Sequence, residues 1–199
     1  MLVSKSLLST IATASKDDTR PLLTCIRVYK EDDKIVSVAT DGYILSEVIE
    51  STPNTDEYPE LPFVKTDDTP ESILIPAETA KKMIGSIKKN DSGLPILSYA
   101  QLTKDTLVTT DLEQTTALHF RSPEGNYPEY RKLVELDEEK AKTYKKATVN
   151  PKYLKQVLAL FKDDYSVELS ISEDKFAPVF IRSESNGVKK MAVIMTLKG

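Results

Sequence analysis

The sequence predicts an α+β fold built from three copies of one repeat, each a helix followed by three antiparallel strands. Apolar residues recur at helical spacing in two segments, at positions 80, 83, 84 and 87 and again at 154, 157, 158 and 161. In both segments a short apolar strand and a proline precede the helix, and three strand-like runs follow it. The segments lie 154 − 80 = 74 residues apart, which indicates an internal repeat. Because the connecting turns are short, the sheets must be antiparallel.

The first repeat begins with a predicted helix over residues 5–14, for which Ser4 serves as the N-cap. Three β-rich runs follow it, and turn residues separate them. A leading strand before this helix is expected to be shortened or absent. The predicted strands cover residues 22–29, 35–40 and 43–49.

The second repeat is predicted to have a leading strand at 71–75 and a helix at 77–89, with Pro76 in the first helical turn. The residues between the first two repeats are rich in proline and acidic side chains, so we expect an exposed connector at 51–70. The three strands after the helix are predicted at 96–100, 106–110 and 115–121.

The third repeat has a predicted leading strand at 147–149, then Asn150 as N-cap and Pro151 in the first turn of a helix that runs to Phe161. The predicted domains are therefore 1–135, which contains two repeats, and 136–199, which contains one. The last three strands are predicted at 166–171, 178–182 and 191–197, with a turn at 185–187.

Composition favours a soluble globular protein, since 40% of the 199 residues are hydrophobic and 29% are charged. The single cysteine, Cys25, excludes an internal disulfide and is typical of a reducing compartment. Neither a signal peptide nor a membrane-spanning run is visible, so we expect a cytoplasmic protein without a membrane partner. The net charge of −4 argues against coating nucleic acid over the whole surface, but it allows one basic face.

The segment Val38–Leu45 contains a tight corner at Asp41-Gly42, where glycine permits a positive φ and aspartate can bond nearby backbone amides. From local chemistry alone, an ordinary hairpin corner is the simplest interpretation.

Lysines gather outside the apolar stripes of the predicted helices, which favours loose contact with the phosphates of a nucleic acid without sequence preference. An equally simple alternative is a solvated helix face, which lysine also favours. The predicted DNA-facing residues are Lys5, Lys81, Lys82, Lys88, Lys89, Lys152 and Lys155.

Catalytic chemistry is poorly represented in the sequence. His119 is the only histidine, and no second soft ligand or glycine-rich phosphate loop accompanies it. We therefore predict a protein that is not an enzyme and holds neither a metal nor another cofactor. The alternative is an unrelated α+β enzyme that uses His119 and Asp41.

Four segments in chain order resemble segments of one known family, the bacterial β sliding clamps, which are processivity subunits of DNA polymerase III. Ala39–Leu45 resembles the family's Ala-Thr-Asp-Gly-His-Arg-Leu, and Ile73–Pro76 matches a strand-to-helix entry. Gly125–Leu133 resembles Gly-Arg-Phe-Pro-Asp-Tyr-Arg-Arg-Val, and Val193–Gly199 is similar to Val-Val-Met-Pro-Met-Arg-Leu. The chain departs from the family by having Tyr43-Ile44, Thr196 and Gly199 in place of His-Arg, proline and leucine.

The resemblance implies a DNA-clamp fold and a hydrophobic pocket for short peptide motifs of polymerases and clamp loaders. Flexible apolar side chains suit such a pocket because they can repack around varied anchors. For Leu23, Ile44 and Ile194 a plain core position is the alternative. By the resemblance the pocket consists of Leu23, Thr40, Gly42, Tyr43, Ile44, Leu45, Pro128, Leu133, Ile194, Met195, Thr196 and Leu197.

Family members carry three domains of two units each, whereas this sequence holds three units and resembles a middle domain joined to a last half-domain. An unpaired unit exposes an apolar stripe and a sheet edge, so we expect self-association. If a closed ring needs the family's twelve units, four chains of three supply them, which predicts a tetramer. The alternative is an adaptor or competitor that binds clamp-binding motifs without encircling DNA.

Overall fold

The structure is a computed structural model that describes residues 1–53, 58, 69–88, 94–131, 145–185 and 188–197. The chain divides into two compact regions, an N-terminal region, Met1–Pro128, and a C-terminal region, Glu129–Gly199. The predicted domain boundary between residues 135 and 136 lies outside the described residues, as does most of the predicted connector at 51–70.

The first repeat forms a short helix whose N-terminus is capped as predicted. The Ser4 hydroxyl accepts a hydrogen bond from the Leu7 N–H at 3.1 Å. The predicted helix at 5–14 is one α-helical turn followed by a 3-10 segment, and a leading strand of three residues precedes it. The elements are β1 Leu2–Ser4, α1 Lys5–Leu8, the 3-10 segment Ser9–Thr13, β2 Cys25–Glu31, β3 Lys34–Thr40 and β4 Leu45–Ser51.

The second repeat follows the predicted order with three differences. Its helix ends at Ser86 rather than at residue 89, because Ile87 is already extended. Pro76 is the N-cap of its helix rather than a residue of the first turn. The predicted strand at 96–100 begins as a helical turn, because Pro95 occupies a first-turn position that proline favours, and extends only from Tyr99. The elements are β5 Ser72–Pro76, α2 Ala77–Ser86, α3 Pro95–Ser98, β6 Tyr99–Leu102, β7 Thr106–Thr110 and β8 Thr115–His119.

The first two repeats exchange their leading strands. One sheet has the order β4-β3-β2-β5, and the other has the order β1-β6-β7-β8. Thus β5 of the second repeat completes the first sheet, with Ile75 opposite Ile26, and β1 of the first repeat completes the second sheet, with Val3 opposite Ala100. Every strand pair in these sheets is antiparallel, which confirms that prediction.

One apolar core joins both repeats of the N-terminal region. Leu7 and Leu8 of α1 and Met83 of α2 are almost fully buried in it, together with inward residues of both sheets. Each such side chain stabilises the fold by about 1.5–3 kcal/mol relative to an exposed position. The predicted inward stripe of α2 is confirmed, because Ala80, Met83 and Ile87 are buried and Ile84 packs on the same core.

The C-terminal region contains the third repeat. The Asn150 side chain accepts the Lys152 N–H at 2.9 Å and Pro151 is the first helical residue, both as predicted. The predicted strand at 147–149 is reduced to a single antiparallel bridge between Val149 and Thr196. The elements are α4 Pro151–Leu158, the 3-10 segment Ala159–Phe161, β9 Glu168–Ser170, β10 Val179–Ser185 and β11 Val188–Ile194.

This region packs its helix on one side of a three-stranded sheet with the order β11-β10-β9. Phe161 is buried and Leu154 and Val157 pack on the core as predicted. The prediction that Leu158 points inward is wrong, since its side chain is 41% exposed. A single sheet covers only the narrow stripe through the other three residues. The predicted turn at 185–187 lies mostly outside the described residues.

The exchange of leading strands predicts that Ile75→Ala destabilises the N-terminal region by about 2–5 kcal/mol, because it leaves a cavity between β5 and β2. Urea unfolding measures the change in the unfolding midpoint. Ile49→Ala is the control, because Ile49 is 48% exposed on β4 and should cost less than about 1 kcal/mol. Equal losses in the two variants would contradict the central role of the exchanged strand.

Candidate functional site

The corner between β3 and β4 closes on itself through side-chain to backbone hydrogen bonds. The Asp41 carboxylate accepts the N–H groups of Tyr43 at 2.8 Å and Ile44 at 2.9 Å. The Thr40 hydroxyl donates to the Ile44 carbonyl at 2.6 Å and accepts the Gly42 N–H at 3.0 Å. The two backbone N–H donors hold the pKa of Asp41 below its ordinary value. Gly42 has a φ of +96°, as the predicted turn requires.

The closed corner presents two large side chains to solvent. Tyr43 is 91% exposed and Ile44 is 52% exposed, while Thr40 is buried and Leu45 is half-buried at the start of β4. The alternative prediction, that Ile44 is a core residue, is therefore wrong. Exposed apolar side chains on a hydrogen-bonded turn are suited to contact another molecule.

A cavity of about 690 Å³ lies beside this corner. The far wall is the chain segment between the first helix and β2, and Arg20 Nη1 is 3.7 Å from the position that a Cβ on Gly42 would occupy. No local pattern in the sequence of residues 16–20 indicates that this segment packs beside a corner about twenty positions further along the chain. The lining residues are Ala12, Ala14, Ser15, Lys16, Asp17, Arg20, Asp41, Tyr43 and Ile44.

Two further residues of the predicted pocket, Leu23 and Pro128, are connected to the corner through Ser15 and Tyr127. The Leu23 carbonyl accepts the N–H of the cavity residue Ser15 at 2.8 Å, and Leu23 is half-buried. Tyr127, which precedes the exposed Pro128, lies close to the Thr40 backbone, and burial raises its pKa to about 12. The N-terminal part of the predicted pocket therefore gathers around one corner.

The remaining predicted pocket residues belong to the C-terminal region. Ile194 is buried in that region's core at 2% exposure, so the core alternative describes its side chain. Met195 and Leu197 are 66% and 46% exposed, and Thr196 pairs with Val149. Leu133 lies outside the described residues.

The predicted DNA-facing lysines lie on or beside the helices. Four are solvent-exposed, Lys81 and Lys82 on α2 and Lys152 and Lys155 on α4, while Lys5 at the start of α1 is half-buried. Lys88 follows α2 and forms an ion pair with Asp111 at 3.1 Å, which leaves its charge partly neutralised. Lys89 lies outside the described residues.

The second repeat contains a copy of the corner that sequence reasoning missed. The Asp111 carboxylate accepts the Glu113 and Gln114 N–H groups at 3.1 and 2.7 Å, and the Thr110 hydroxyl donates to the Gln114 carbonyl at 2.9 Å. The shared Thr-Asp dipeptide was the available signal. It was obscured because Leu112, with a φ of +77°, stands where the first corner has glycine.

His119 and Asp41, the residues of the enzyme alternative, have separate hydrogen-bond partners. His119 Nδ1 lies 3.0 Å from the Thr106 hydroxyl, which also donates to Asp105 at 2.8 Å. Asp41 is engaged by the amides of its own corner. Within the described residues, no three His, Cys, Asp or Glu side chains group closely enough to hold a metal ion.

No family model matches the sequence, and no curated protein is similar to it at the sequence level. Solved structures of similar fold include β chains of DNA polymerase III and DNA polymerase sliding clamps. The β chain of DNA polymerase III from Streptococcus pneumoniae is 18% identical, with a TM-score of 0.61 over 100% of this chain and 49% of that one. The DNA polymerase sliding clamp from Bacillus subtilis is also 18% identical, with a TM-score of 0.64 over 98% and 48%.

The β sliding clamp of Caulobacter crescentus has a TM-score of 0.66 at 14% identity, over 98% of this chain and 49% of that one. The chain thus spans about half the length of the solved structures that it matches. The predicted α+β clamp fold is confirmed. In the part of the chain that the structure describes, every helix is too short or too polar to cross a bilayer.

The corner geometry predicts opposite effects for two glycine substitutions. Gly42→Ala should destabilise the N-terminal region by about 1–2 kcal/mol, because an L side chain strains the positive φ. Gly85→Ala is the control in α2, where the new methyl group meets open space, and should stabilise by about 0.5–1 kcal/mol. Thermal and urea unfolding measure both changes. If Gly42→Ala were neutral, the corner could not be a tightly held turn.

Proposed function

We propose that this chain, which has the fold of the bacterial β sliding clamps, is a DNA polymerase processivity factor without catalytic activity of its own. Several copies would assemble into a ring around duplex DNA, and exposed apolar residues would tether replication proteins. Such a ring would act by topology, so that the DNA can slide through it without tight phosphate binding.

The observation that carries this proposal is the corner at Asp41-Gly42. Its backbone groups are satisfied internally, so Tyr43 and Ile44 are held in place while remaining exposed beside a cavity. A preformed apolar anchor site loses little conformational freedom when a short peptide motif binds. We propose that this corner contacts client peptides, and that the exposed tail residues Met195 and Leu197 also contact them.

The proposed DNA contacts are electrostatic. Lysines that are free to move on helix surfaces can neutralise phosphates without reading bases, which suits a protein that must slide. Lys81 and Lys82 are exposed on α2, and Lys152 and Lys155 are exposed on α4. The net charge of −4 then keeps DNA away from the other surfaces.

The proposed self-association follows from the three repeats. The first two repeats complete each other, whereas the described residues contain no repeat that pairs with the third. Four chains would supply the twelve units of a clamp ring, so a tetramer is the proposed assembly.

Retention on circular DNA tests the ring. Protein assembled in the presence of closed circular duplex DNA should stay bound when salt is raised, because salt weakens phosphate contacts but not a topological link. Cutting the circle should release it. Gel filtration of the complex before and after linearisation measures this. Equal loss from circular and linear DNA would remove the ring and favour an adaptor.

Charge reversal on α2 tests the proposed DNA contacts of the lysines. The double variant Lys81→Glu and Lys82→Glu should weaken DNA binding at low salt severalfold, because each change replaces an attraction to a phosphate with a repulsion. Lys34→Glu changes the charge of an exposed hairpin residue and should have a much smaller effect. An equal effect of both changes would show that net charge, rather than the α2 face, governs DNA binding.

Peptide affinity tests the corner. Ile44→Ala should weaken binding of a polymerase peptide that carries a clamp-binding motif by roughly tenfold, since central apolar anchors dominate such interfaces. Fluorescence anisotropy with the labelled peptide measures the dissociation constant. Ile49→Ala removes a similarly exposed isoleucine from β4 and should leave affinity unchanged. Unaltered affinity in Ile44→Ala would place client binding elsewhere.

A further inference from the structure

We infer that the third repeat of one chain pairs with the third repeat of a second copy by exchanging leading strands around a two-fold axis. In this dimer the segment 147–149 of each copy adds to the outer edge of β9 of the other copy. The inference refines the self-association in the proposed function and rests on it. It names the surface, the partner and the symmetry of the contact.

The pattern for this contact is present inside the chain. In the N-terminal region β1 pairs with β6 and β5 pairs with β2, so each leading strand completes the sheet of the other repeat. In both cases the leading strand joins the first strand after the partner's helix, and the pairing is antiparallel. The exchange is reciprocal, so two identical repeats that repeat it are related by a two-fold axis.

Among the described residues, the leading segment of the third repeat, 147–149, pairs with another segment along one edge only. The Thr148 carbonyl accepts the Leu197 N–H at 2.7 Å, and Val149 bridges Thr196. In an antiparallel bridge of this kind, the N–H and C=O of the central residue point away from the paired strand. The backbone groups of Val149 therefore face the side opposite the tail, where a further strand can bond to them.

The acceptor edge is also open. Among the described residues, β9 is the terminal strand of its sheet, at the position where β2 and β6 each receive a leading strand. Leu169 lies opposite Ile181 on the core face of this sheet. Ile181 is fully buried, yet Leu169 is 56% exposed because nothing described covers the edge beside it. A strand from a second copy would cover this side chain.

The helix of the third repeat, α4, also has an exposed apolar side chain, that of Leu158. Leu158 is the counterpart of Ile84, since 84 + 74 = 158. Ile84 packs on the core that α1 and α2 share, whereas Leu158 is 41% exposed. In the N-terminal region α1 and α2 contact each other directly. A second copy of α4 in the corresponding place would bury Leu158 against its own counterpart.

A lysine at the β9 edge tests the pairing in the full chain. Leu169→Lys should leave the fold intact, because the side chain is more than half exposed, and should place two charges in the proposed interface. The molar mass from light scattering over a range of concentrations should then fall to half that of the unaltered protein. Met191→Lys is the control, since Met191 is 59% exposed on β11 and lies on the opposite face of the sheet from Ile181. Its mass should not change.

The outcomes separate this inference from the proposed function. An unaltered protein that stays a single chain at all concentrations would overturn both. A stable multimer whose mass is the same in Leu169→Lys would overturn the exchange but leave the ring standing. A mass that halves in Leu169→Lys and not in Met191→Lys would support the exchange, and circular DNA retention can still fail independently.

Cross-linking tests the strand pairing directly. A Thr148→Cys protein mixed with a Ser170→Cys or Glu168→Cys protein should form a disulfide-linked dimer under mild oxidation with one of the two partners, because adjacent antiparallel residues lie within disulfide distance. Thr148→Cys mixed with Lys189→Cys is the control, since Lys189 lies on β11 at the other edge of the sheet. Dimer yields equal to the control for both partners would overturn the pairing of 147–149 with β9.

Discussion

The architecture of this protein depends on one constraint, that a repeat cannot complete its own sheet. Each leading strand in the N-terminal region pairs with the other repeat, and this places Val3 and Ile75 in a core that neither repeat could form alone. The contacts join residues about a hundred positions apart for β1 and β6 and about fifty for β5 and β2. The two repeats therefore form one compact region, which positions the β3–β4 corner and the lysines of α1 and α2 on a common support.

In the corner between β3 and β4, different residues hold the turn together and face the solvent. The side chains of Thr40 and Asp41 bond to the backbone of the turn, while the side chains of Tyr43 and Ile44 are exposed to solvent. The copy at Thr110–Gln114 has the same hydrogen bonds but presents Glu113 and Gln114 in place of Tyr43 and Ile44. One turn thus serves as a structural element in both repeats, and its exposed residues alone distinguish the proposed client site from its counterpart.

The third repeat uses the same secondary structure without the partner that the first two repeats give each other. Its core is closed on one side by α4, and some of its apolar side chains, among them Leu158 and Leu169, are exposed. Exposed apolar surface beside an open strand edge favours association with another chain. This links the proposed ring to the same constraint that organises the N-terminal region.

The sequence by itself determined the local elements, since Ser4 and Asn150 cap their helices through hydrogen bonds within a few residues. The spacing of apolar residues likewise marked the face of α2 that is buried. It also determined the corner at Asp41-Gly42, because a positive φ has a recognisable residue preference. Tertiary structure decided the rest. The exchange of β1 and β5, the wall from Ala12 to Arg20 beside Tyr43, and the exposure of Leu158 all depend on which distant segment lies opposite. Periodicity marks the face that a residue occupies, but it carries no information about the partner that covers that face.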